Sequence, residues 1–140
     1  MLDKILIATD GSDRVSKAIE HGLDLAEVFD AEVHVIYVIE TEASYILTVG
    51  VSESEMEEYR QYGEDVVTDV VEQIEGRGLD GVGAVTTGKV AQEIVDYAEQ
   101  EDIDTVVMAE RGRGTLEKYL GSSTEKVVRM CPKPVTVVRS

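Results

Sequence analysis

Basic side chains are scarce in this chain, and cysteine and histidine are scarcer still. Lysine and arginine together number 13 against 29 aspartates and glutamates, a formal net charge of −16 over 140 residues. So acidic a surface argues against nucleic acid or an anionic membrane as partner, because both would repel it. It also suits a salt-rich cytoplasm, where screening weakens self-repulsion. The single cysteine, Cys131, excludes an internal disulfide, and the two histidines, His21 and His34, form no cluster at metal-ligand spacing. No apolar run is long enough to cross a bilayer, and Met1-Leu2-Asp3-Lys4 leads straight into a strand with no cleavable apolar segment ahead of it. The expected location is a reducing cytoplasm, without membrane insertion. There is no internal repeat or low-complexity tract, and the length suits one domain, residues 1–140, around one core.

The few cations are unevenly placed. Residues 1–110 carry 6 basic and 27 acidic side chains, whereas residues 111–140 carry 7 basic and 2 acidic. The last thirty residues are therefore the part of the chain that tolerates negative charge nearby.

Apolar patterning predicts alternating strands and helices. Lys4 to Thr9 is a short continuous apolar run ended by Asp10-Gly11-Ser12, which is how a buried parallel strand followed by a turn reads. Ser12 is placed to cap a helix whose stripe is Val15, Ala18, Ile19, Gly22, Leu23, Ala26 and Phe29. Ala31 to Ile39 is a second strand, and Thr41 to Val51 has no period and reads as a loop. Ser52 and Glu55 fit a capping box for a long acidic helix carrying Tyr59, Tyr62, Val66, Val70 and Ile74 and ended by Gly76-Arg77-Gly78. A weak, glycine-interrupted strand follows over Val82 to Thr86, then a helix opened by Gly88 with Val90, Ala91, Ile94, Tyr97 and Ala98 on one face. Asp104 to Ala109 is a fourth strand. Ser122 and Glu125 suggest a second capping box, for a helix over Thr124 to Met130, and Val135 to Val138 is a fifth strand. The fold class is α/β: an open five-stranded parallel sheet with helices on both faces.

Ligands in such sheets bind beyond the carboxyl ends of the strands. With the first strand central, those ends are Ala8-Thr9-Asp10, Val38-Ile39-Glu40 and Met108-Ala109-Glu110. After the fourth strand the chain reads Arg111-Gly112-Arg113-Gly114, then Gly121-Ser122-Ser123 at a helix start. Glycines let backbone N–H groups approach an anion, and a helix start presents unpaired N–H donors and the positive end of its dipole. Arg111, Arg113 and Lys118 supply a positive field. A plain surface loop with a capping serine would contain the same glycines; the reversal of charge in this segment favours phosphate.

Four motifs in order resemble the universal stress protein family from end to end: Ile5 to Ser12; Gly88 with Ala91 and Ile94; Gly112-Arg113 leading to Leu120-Gly121-Ser122; and Pro132-Lys133-Pro134-Val135. The resemblance implies a fold of the adenine nucleotide alpha hydrolase type with strand order 3-2-1-4-5. It implies ATP or AMP, with or without magnesium, as cofactor. Ala8, Thr9, Asp10 and Val38 would line the adenosine pocket. Gly112, Arg113, Gly121, Ser122 and Ser123 would cradle the phosphates, and Met108, Ala109, Arg111, Gly114 and Thr124 complete the expected set. The family pattern has glycine where this chain has Ala109, and nine residues where this chain has eight between Gly112 and Gly121. The resemblance also implies a homodimer through Val135, Thr136, Val137 and Val138, a short apolar strand whose edge carries no guarding charge or interior proline.

Three functions follow as expectations: a nucleotide-binding dimeric stress regulator that also meets a protein partner, a nucleotide-independent dimeric scaffold favoured by Ala109 and the short loop, or an enzyme. The enzyme reading, weak ATP hydrolysis or autophosphorylation on Ser122, Ser123 or Thr124, has only Asp10 as a candidate carboxylate and no positioned base, so no catalytic residue is assigned. Asp10 with Lys133 resembles a receiver phosphoacceptor, but Thr86-Thr87 stands where a second acid is needed. His21, His34 and Cys131 read as structural, and the acidic run Glu53 to Glu58 as a solvated helix face; Lys89 and Thr87, at the carboxyl end of the third strand, fit a phosphate contact and a plain helix start equally well.

Overall fold

The computed structural model describes residues 1–40, 52–112 and 120–140. Five apolar segments pair there into one sheet: β1 (Lys4–Ala8), β2 (Glu32–Glu40), β3 (Gly81–Gly88), β4 (Thr105–Ala109) and β5 (Val135–Val138). Their spatial order is β3-β2-β1-β4-β5, with every neighbouring pair parallel. This is the architecture the resemblance implied. β1 is central, and Ile5, Leu6 and Ile7 are fully buried, which is why its apolar run is continuous rather than alternating.

Successive side chains point to opposite faces of the sheet. Ile5, Ile7, Val33, Val35 and Val107 face α1 (Ser16–Phe29) and α2 (Glu53–Gly76), packing with Leu23, Ala26, Val67, Val70 and Ile74. Leu6, Ile36, Val106 and Met108 face α3 (Val90–Gln100) and α4 (Ser122–Met130), packing with Ala91, Ile94, Ala98 and Val127. At the amino end, Asp104 Oδ2 accepts the N–H groups of Asp3 (2.8 Å) and Lys4 (2.9 Å), tying the start of β4 to the start of β1. Those two donors favour the ionised carboxylate, holding its pKa below the usual value.

Several local expectations are corrected. Ser12 makes no side-chain cap; one 3₁₀ turn (Asp13–Val15) precedes α1, and Asp10 Oδ1 accepts the Ser12 N–H at 2.9 Å instead. Gly121, not Ser122, is the N-cap of α4. β3 is longer than its glycines suggested, running from Gly81 to Gly88. A methyl group at 83 would overlap Val67 Cγ1, so packing against α2 excludes a side chain there. The buried stripe of α2 is Gly63, Val67, Val70 and Ile74, which leaves Tyr62 43% exposed. Ser52 does cap α2, its Oγ accepting the Glu55 N–H at 3.2 Å. The loop expected over Thr41 to Val51 lies outside the described residues.

Candidate functional site

A cleft of about 360 Å³ opens at the carboxyl ends of β1, β2 and β4, on the side covered by α3 and α4. Ala8, Thr9, Asp10, Val38, Met108, Ala109, Arg111, Gly112, Gly121, Ser122, Ser123 and Thr124 all line it. Arg113 and Gly114 lie outside the described residues. Ile36, Val90 and Ile94 also line it, together with Val15, Tyr37 and Glu40. Val90 and Ile94 belong to the apolar stripe that the helical spacing predicts as core, and strand alternation puts Ile36 on the same face as Val38.

Asp10 is held at the mouth. Its Oδ1 takes the Ser12 N–H, and its Oδ2 occupies the space that a methyl group at 112 would need. Glycine at 112 is therefore a condition for this position of the carboxylate. Thr9 is buried, and its Oγ1 accepts the Gly11 N–H at 3.1 Å, closing the same turn.

The end of β4 and the start of α4 lie in contact. Gly121 N–H donates to Glu110 O at 2.7 Å, and a Cβ on Gly121 would stand 3.0 Å from Arg111 Cα. The Gly121 amide is thus engaged within the protein. The unpaired donors of this helix start belong to its first turn, Ser122, Ser123 and Thr124, where the α4 dipole adds positive potential. Buried Thr124 donates its hydroxyl hydrogen to Ala109 O at 3.0 Å, fastening α4 to the end of β4. Arg111 forms an ion pair with Glu110 inside the site, so its charge is partly balanced; Arg14 Nη1 donates to Gly112 O at 3.1 Å.

The Ala109 methyl packs with Ile7, Val15 and Val107 in the cluster on the α1 side. Alanine at this position therefore belongs to that core cluster and also lines the cleft.

The profile of the universal stress protein family matches residues 1–139. The chain belongs to that family. A universal stress protein of Methanocaldococcus jannaschii is 36% identical over 138 residues, covering 97% of this chain and 81% of the relative. Among solved structures, the protein MJ0577 of the same organism superposes with a TM-score of 0.90 at 26% identity, covering 100% of this chain and 97% of that one. Two more distant structures share the fold. A universal stress protein from Archaeoglobus fulgidus, solved in complex with dAMP, has a TM-score of 0.72 at 19% identity and coverage of 98% of both chains. Another universal stress protein, solved in complex with cAMP, has a TM-score of 0.72 at 18% identity, covering 99% of this chain and 97% of that one.

Within this universal stress protein fold, the described residues contain no helix long and apolar enough to cross a membrane and no group of three or more His, Cys, Asp or Glu suited to a metal. Cys131 is a free thiol of intermediate exposure. The β5 residues Val135, Thr136, Val137 and Val138 are all half-buried along the sheet edge. Lys89 and Thr87 do not line the cleft.

Proposed function

We propose that this stress protein binds an adenine nucleotide, ATP or AMP, in the cleft and acts as a cytoplasmic dimeric regulator. The supporting observation is the cleft itself: an apolar slot between β2 and α3 that leads past Asp10 to the first turn of α4. Its volume is within the range of small-ligand sites, and it combines apolar walls with a few polar groups, as such sites do. In this reading Ile36, Val38, Val90 and Ile94 enclose the base, Asp10 meets the ribose, and the amides of Ser122, Ser123 and Thr124 meet phosphate. Arg113 and Gly114 belong to the same proposed set. A magnesium ion accompanying ATP would be held largely by the phosphates and water, as is usual for that ion. The dAMP and cAMP complexes of two fold relatives lend support, since this architecture accommodates adenine nucleotides there. The place of Ala109 in the core cluster is compatible with this reading.

The homodimer would form through the outer edge of β5, where Val135 to Val138 gain a partner, and nucleotide occupancy would alter the surface offered to a further protein. The test is to denature freshly purified protein and identify what it releases, then to titrate stripped protein with ATP and AMP in a calorimeter, with sedimentation reporting the oligomer. An adenine nucleotide released, or a saturable heat at millimolar ATP or below, is expected. Neither signal, from protein that sediments as a dimer, would establish the scaffold instead.

A further inference from the structure

Below the cleft, on the same two walls, lies a polar contact that the nucleotide reading does not use. His34 is only 2% exposed; its Nδ1 is 2.6 Å from Tyr97 Oη, and its Nε2 is 2.6 Å from Glu32 Oε2. The His34 and Tyr97 rings meet edge to face, with centroids 5.6 Å apart. Chemistry assigns the protons of the neutral ring. A carboxylate only accepts, so Nε2 carries the hydrogen and donates to Glu32; Nδ1 is then the acceptor, and the Tyr97 hydroxyl donates to it. Burial, with Glu101 and Glu32 nearby, pushes the Tyr97 pKa up to about 12, so the donor keeps its proton at neutral pH.

The placement gives this contact leverage. Along β2, His34, Ile36 and Val38 share one face by alternation. Along α3, Val90, Ile94 and Tyr97 share one face at spacings of four and three. Ile36, Val38, Val90 and Ile94 line the cleft, so His34 and Tyr97 are the next residues down the same strand and the same helix. We propose that the His34–Tyr97 hydrogen bond, oriented by Glu32, positions α3 against β2 and so sets the width of the slot between them. The occupant of that slot rests on the adenine reading above. His34, Tyr97 and Glu32 are positioning residues that need not touch the ligand.

Tyr97→Phe keeps the ring and removes the donor; Glu32→Gln keeps an acceptor for Nε2–H, and Glu32→Ala removes it. Ring-nitrogen spectra should show the Nε2–H tautomer in the unaltered protein and a displaced Nδ1 resonance in Tyr97→Phe. Without ligand, methyl–methyl NOEs from Ile36 and Val38 to Val90 and Ile94 should weaken in Tyr97→Phe and Glu32→Ala and persist in Glu32→Gln. Affinity for ATP and AMP should fall about five- to tenfold in the two disruptive variants, with that for tripolyphosphate unchanged, a split that general destabilisation would not produce. Unchanged NOEs overturn the proposal, and so does equal weakening of ATP and tripolyphosphate. Absence of nucleotide binding by the unaltered protein would remove the adenine reading alone, because the NOEs still decide the positioning role. Should Tyr97→Phe not fold, Glu32→Ala, altering a side chain 37% exposed, carries the test.

Discussion

The two faces of the sheet are covered to different extents. α1 and α2, with 14 and 24 residues, form one layer; α3 and α4, with 11 and 9, form the other. At a rise of about 1.5 Å per residue, the second pair is much shorter than the first. The cleft opens on that second side, above Ala8, Ile36 and Met108. The face under α3 and α4 is thus the more open one at the strand ends; the other, more closed there, carries a separate groove between α2 and β3, lined by Glu64, Val67, Val71, Gly83 and Val85. In physical terms, a shorter helical cover leaves room for a cleft at the strand ends, with no change to the strands.

The sharpest way to break this comparison is a core deletion on the closed face. Ile7 is fully buried, and its Cδ1 lies 2.8 Å from where a Cβ on Gly22 would stand, so no neighbouring side chain refills the space readily. Ile7→Ala should cost about 2–5 kcal/mol in urea denaturation. Nucleotide affinity, measured where the variant is still folded, should be preserved. A stability loss well below that range would mean the closed face is not the main source of stability.

The converse change belongs to the open face. Gly112→Ala places a methyl group on Asp10 Oδ2 and forces the carboxylate to move. ATP affinity should fall by about tenfold, equivalent to about 1.4 kcal/mol, while the denaturation midpoint shifts little. An unchanged calorimetric isotherm would show that the position of Asp10 does not matter to the ligand.

The smallest effect is expected at the amino end, remote from the cleft. The Asp104 pKa is depressed in the folded protein by the N–H groups of Lys4 and Asp3. Its contribution is therefore complete above the unfolded pKa of about 3.9 and is lost as pH falls through the lower folded value. Asp104→Asn should flatten the acid limb of stability against pH, with no change in nucleotide affinity at neutral pH. Parallel acid limbs for the two proteins would refute the assignment.

Much of this division was legible in the sequence. Continuous apolar runs such as Ile5 to Ile7 marked strands buried on both sides, and the turn chemistry after Thr9 placed Asp10 at a strand end. The resemblance supplied the strand order, which periodicity does not encode. The finer details that the sequence left unread have a common origin, because they depend on which tertiary neighbour takes up a local group. The Gly121 amide looked available for an anion, yet Glu110 O accepts it. Arg111 lines the cleft, and its ion pair with the adjacent Glu110 depends on side-chain geometry that the sequence does not encode. Val90 and Ile94 looked like core, and they both pack there and line the cleft, because the stripe that packs on the sheet continues to its carboxyl edge. His34 reads as structural, and the hydrogen bond it holds across two elements fits that reading, although no local pattern names its partner.

The central claim is that nucleotide phosphates meet the start of α4 while the base lies against β2. Backbone amide shifts followed during an ATP titration test it directly. The account predicts saturable movement at Ser122, Ser123 and Thr124 together with Val38, and little change along α2. Resonances that stay fixed at millimolar ATP, or movement confined to α2, would contradict it.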